Sequence, residues 1–174
     1  MTRSRWSVLA LAAALAFPAL TRADDGKDGR SLFLARLISF EEVPAIAAPG
    51  TAMLRMELSQ DGMTLSFTLT YENLTAAPLV AHVHFGQRSV SGAPMFFFCG
   101  GGGKPACPDS TSGTITGTVV AADVVGPAAQ GIAAGDLATV VDVMRRGLGY
   151  ANMHTPAHPT GEIRGQVIAL RNHW

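Results

Sequence analysis

Four of the five histidines fall in two short strings. In Ala81-His82-Val83-His84-Phe85-Gly86 the two imidazoles stand two residues apart. Successive side chains of an extended strand alternate faces, so His82 and His84 project together while Val83 and Phe85 turn away. Alternate Cα atoms lie about 7 Å apart, a spacing from which two rings can lean onto one ion. The second string, Asn152-Met153-His154-Thr155-Pro156-Ala157-His158-Pro159, puts His154 at a strand end and His158 in a turn. Neutral imidazole nitrogen is a ligand for first-row metals such as copper or, less well suited here, zinc. If the two strands are neighbours, His82, His84 and His154 complete a three-nitrogen site, with His158 as a mobile fourth. The plainer reading of the same residues is exposure, or hydrogen bonding to backbone carbonyls. No carboxylate adjoins either string in sequence.

Gly161-Glu162-Ile163-Arg164-Gly165-Gln166 is the other unusual string. Alternation sets Glu162, Arg164 and Gln166 on one face and Ile163 and Val167 on the other. Arg164 is a candidate for steering an anion towards a metal; cross-strand polar pairing of Glu162 and Arg164 is the more ordinary role. Two cysteines, Cys99 and Cys107, flank a glycine run from Gly100 to Gly103. In an oxidising compartment so close a pair is most simply a structural disulfide. The chain-entropy relation assigns a loop of that size about 2.5 kcal/mol.

The elements that must position these residues read as strands. Thr51 to Leu58 presents Leu54, Met56 and Leu58 on one face, Asp61-Gly62 makes a tight turn, and Met63 to Tyr71 returns with Leu65, Phe67 and Leu69 inward. Ser31 to Phe40, Leu79 to Gly86, Thr114 to Val120, Tyr150 to His154 and Glu162 to Leu170 are further strands. Met95 to Phe98 reads as a buried strand beside the cysteines. A single packing helix starts at Asp136 as N-cap, repeats Leu137, Val140, Val141 and Met144, and stops at Gly147. Seven or more short strands predict an all-β fold, a Greek-key-like β-sandwich or flattened barrel with one short helix.

Residues 1–23 carry Arg3 and Arg5, then an apolar run from Ser7 to Phe17, then small residues ending at Ala23. That pattern is a secretory signal, its apolar core too short to span a bilayer. Residues 24–174 are then one exported domain, periplasmic or secreted, with no later membrane span. With 13 basic and 13 acidic residues there is no electrostatic call for nucleic acid. A Gly-x-Ser-x-Gly elbow, a Walker loop and a dinucleotide fingerprint are all absent from the sequence.

Read together, Phe40-Glu41-Glu42-Val43-Pro44, the His82–His84 string, Tyr150-Ala151-Asn152-Met153-His154-Thr155 and His158-Pro159-Thr160-Gly161-Glu162-Ile163-Arg164-Gly165-Gln166 resemble the chordin (CHRD) domain family of bacterial type. Met153 stands where that family usually has Val or Leu. The resemblance implies an exported β domain. The growth-factor antagonism of animal chordin goes with separate cysteine-rich domains, which a chain with two cysteines does not contain. His-Val-His-Phe-Gly is also locally similar to the copper-ligand strand of copper/zinc superoxide dismutases. The expectation is therefore a non-catalytic binding module, its partner a metal ion or an envelope protein. A copper-dependent redox enzyme and a purely structural or adhesive domain are the alternatives.

Overall fold

The computed structural model describes residues 30–171; the expected signal, residues 1–23, lies outside them. Nine strands are present among the described residues: β1 (Arg30–Ile38), β2 (Thr51–Leu58), β3 (Thr64–Glu72), β4 (Val80–Phe85), β5 (Pro94–Cys99), β6 (Gly113–Val120), β7 (Gly149–His154), β8 (Ile163–Gln166) and β9 (Ile168–Arg171). They form one sheet in the order β5-β4-β7-β8-β1-β2-β3-β6, with β9 pairing on β1 and every pairing antiparallel. The end strands β5 and β6 meet, and the sheet curls into a nearly closed, flattened barrel. A single α-helix, α1 (Leu137–Arg145), packs against it.

Local sequence explains the best-defined parts. Leu54↔Leu69 and Met56↔Phe67 pair across the β2–β3 hairpin, and all four are buried. The turn closes with Gly62 at φ +72° and Asp61 accepting from the Met63 N–H at 3.0 Å, a conformation that glycine adopts without a Cβ clash. Asp136 caps α1 by accepting from Thr139 N–H at 2.9 Å, and Leu137, Val140, Val141 and Met144 bury its apolar stripe. Met95, Phe96 and Phe98 lie in the core, Phe98 against Phe67 at 4.6 Å between centroids.

Two expected strands end differently. The first stops at Ile38, because Ser39 turns its hydroxyl onto the backbone of Ala48, donating to its carbonyl at 2.7 Å and accepting from its N–H. A 3-10 turn, Ser39–Glu41, follows. The last run is not one strand but β8 and β9, divided at Val167, whose N–H turns back to Gly149 O at 2.9 Å. That division lets β8 pair with β7 while β9 pairs with β1.

Candidate metal centre

β4 and β7 are neighbours, and their register sets His82 opposite Asn152, His84 opposite Tyr150 and Val80 opposite His154. Directly paired residues share a face, so His82, His84, Tyr150, Asn152 and His154 all stand on the outside of the barrel. Ala81, Val83, Ala151 and Met153 point inward and are buried. The rings of His82 and His84 are 4.3 Å apart and those of His82 and His154 4.8 Å. One ligand nitrogen from each of the three lies within 4.8 Å of the others. His158 is not in this group; its turn is closed by backbone bonds with Thr155.

The hydrogen bonds fix which nitrogens are offered. His84 Nδ1 is 2.8 Å from Gly92 O and His154 Nδ1 is 3.0 Å from Pro159 O. A carbonyl only accepts, so both Nδ1 atoms carry the proton and both Nε2 atoms carry a lone pair. Those two Nε2 atoms and His82 Nδ1 are buried and have no hydrogen-bond partner. Backbone carbonyls thus perform the orienting role that carboxylates often perform at metal-binding histidines. Burial, and then the neighbouring imidazoles His84 and His154, pushes His82 down to about 2. Burial also takes His84 down to about 4, the Gly92 hydrogen bond opposing and His154 and Arg164 assisting. His154 is lowered by burial as well. All three are neutral near pH 7, the ligand form.

Outward orientation on β7 and β8 does not mean exposure. Tyr150 stacks on His84, 4.6 Å between centroids and 6° from parallel. The Arg164 guanidinium covers Tyr150 at 3.5 Å from its centroid. Since β7 lies between β4 and β8, Tyr150 separates Arg164 from the imidazoles. Arg164 is 3% exposed and donates to the carbonyls of Gln87 and Val90 at 3.0 and 2.9 Å. Gln166 donates to Gly86 O and Gly147 O, and the Tyr150 hydroxyl accepts from Gly92 N–H at 3.1 Å. Segment 86–93 is thereby tied over the site, and it delivers the Gly92 carbonyl to His84.

Two buried carboxylates complete the surroundings. Glu162 accepts from Thr75 N–H, Thr75 Oγ1 and Thr155 Oγ1 at 2.8, 2.6 and 2.6 Å. Glu42, from the turn after β1, accepts from Asn152 Nδ2 at 2.6 Å. Burial raises Glu42 to about 7, the Asn152 hydrogen bond and Arg164 opposing. Gly161, at φ +130°, leaves room for that carboxylate where a Cβ would come within 2.7 Å of it. On the other flank Phe97 meets His82 edge-on at 5.1 Å, and a Cβ at Gly101 or Gly102 would strike the Phe97 ring. Cys99 and Cys107 are joined in a disulfide that closes this glycine loop.

The residues fit a metal ion. Each of three clustered imidazoles keeps one buried nitrogen without a hydrogen-bond partner, an arrangement that costs stability unless something engages them. Nitrogens bound at about 2 Å to one ion stand roughly 3–4 Å apart, so small ring rotations suffice to close the set. Tyr150, Asn152 and Glu42 carried no ligand signal in the sequence; the strand parity of Tyr150 and Asn152 with His154 was the one available pointer.

The fold and site define an all-β barrel with a three-imidazole cluster on its outer face. The family model described as CHRD domain matches residues 33–167, and the chain belongs to that family. No curated protein and no solved structure matches it. No helix among the described residues is long and apolar enough to cross a membrane.

Proposed function

We propose that this protein is an exported, non-catalytic CHRD-domain binding module of the cell envelope that holds a transition metal, copper foremost, on His82, His84 and His154. The observation that carries the reading is a cluster of three imidazoles, each with one buried, unpartnered nitrogen and two of them with tautomers fixed by backbone carbonyls. The disulfide suits an oxidising compartment. Copper would be held by these three side chains and would supply a Lewis-acidic or redox-active centre; the chain's own part is to orient the rings and keep them neutral. Arg164 serves here as a positioning residue, through Tyr150 and segment 86–93.

Equilibrium dialysis of the purified protein against copper, followed by metal analysis, tests this. One equivalent is expected, lost in His84→Ala. Absence of stoichiometric binding, or binding unchanged by that substitution, leaves a structural domain whose histidines only organise the sheet.

A further inference from the structure

The charge around the three imidazoles says more than that a metal fits. All three donors are neutral, and among the described residues no Asp, Glu or Cys joins the cluster. Glu42 is engaged by Asn152 and Glu162 by Thr75 and Thr155. The nearest fixed charge in the stack is positive: the Arg164 guanidinium, one aromatic ring away from His84. The unpartnered nitrogens of the three rings are buried from solvent.

Resting on the metal-binding reading, we propose that the site selects a monovalent ion, Cu(I), over Cu(II) and Zn(II). The cost of taking an ion out of water grows as the square of its charge, about fourfold from one charge to two. A divalent ion here meets that cost with no anionic ligand: the Glu42 and Glu162 carboxylates stand behind Asn152, Thr75 and Thr155 rather than in the cluster, and the Arg164 guanidinium is nearby. Zn(II) also takes four ligands, three of them protein groups and the fourth water or substrate in open sites; the buried set supplies three. A closed-shell Cu(I) ion is content with three neutral nitrogens.

The test is anaerobic competition of the purified protein for Cu(I) against bicinchoninate, and for Zn(II) and Cu(II) against chelators of known affinity. Cu(I) is expected at least 100-fold tighter than either divalent ion. For copper alone, that preference over Cu(II) raises the one-electron potential by about 120 mV above the free couple, at about 59 mV per tenfold. X-ray absorption of the Cu(I) form is expected to show three nitrogen neighbours. His154→Asp keeps three donors and adds one negative charge; it is expected to move the Cu(I)/Zn(II) ratio at least tenfold towards zinc. If that variant does not fold, the wild-type affinities decide alone. Equal or tighter binding of Zn(II) or Cu(II) overturns the charge selection while leaving the metal site standing. No binding of any of the three ions overturns both.

Discussion

The barrel has two outer faces built on the same alternation, and they have opposite fates. On the β2–β3–β6 side, outward residues such as Arg55, Ser66, Thr68 and Thr70 are exposed. They make the slight contacts expected of a wet sheet: Arg55 with Glu57 at 2.7 Å and Thr70 with Thr114 at 3.1 Å. On the β4–β7–β8 side, outward His82, Tyr150, Asn152 and Arg164 are buried. The difference lies in the connections. Segments 86–93 and 155–162 and the turn around Glu42 fold over the second face and bond to it, whereas among the described residues the first face keeps its outward side chains exposed. Period two decides which side of a sheet a residue takes; the connecting segments decide whether that side is water.

The contrast can be broken most severely where the covered face is anchored. A methyl group on Gly165 would collide with the Arg36 carbonyl across the β8–β1 junction. Gly165→Ala is therefore expected to lose about 3 kcal/mol in urea unfolding. Next comes the site itself. His84→Ala should weaken copper at least 100-fold by chelator competition and cost the metal-free protein about 1–2 kcal/mol in urea unfolding. It removes an unpartnered nitrogen, but also the donor to Gly92 O and the ring stacked on Tyr150.

A smaller effect comes from Glu42. Its folded value, about 7, lies above the ordinary 4.5. The folded state therefore binds the proton more tightly, and this contribution is full below about pH 4.5 and lost as pH rises through about 7. Glu42→Gln should flatten the pH dependence of stability over that window, by roughly 1–2 kcal/mol after allowing for partial solvent access. Urea midpoints of both proteins at pH 5 and pH 8 measure it. The smallest effect belongs to the open face: Arg55→Ala should change stability by less than about 0.5 kcal/mol. A loss near that of Gly165→Ala would mean that the two faces are not the different environments described.

The same contrast explains how much could be read from the chain. The β2–β3 hairpin was legible because Leu54, Met56, Leu65, Phe67 and Leu69 alternate and Asp61-Gly62 punctuates them. His82 and His84 sharing a face follows from parity, and their meeting with His154 needed only that β4 and β7 be neighbours. What could not be read was the cover. Glu42 reaches Asn152 across 110 residues, and Gly92 and Pro159 act through backbone oxygens that any residue type would carry. Glu162 and Arg164 share a parity that suits both to cross-strand polar pairs, but Glu162 precedes β8 and turns to Thr75 and Thr155, while Arg164 donates to the carbonyls of Gln87 and Val90.

The most direct measurement is anomalous diffraction at the copper edge from crystals grown with Cu(I). The account predicts one peak about 2 Å from His82 Nδ1, His84 Nε2 and His154 Nε2 together. Copper bound elsewhere, or three imidazoles that remain apart with water between them, would contradict it.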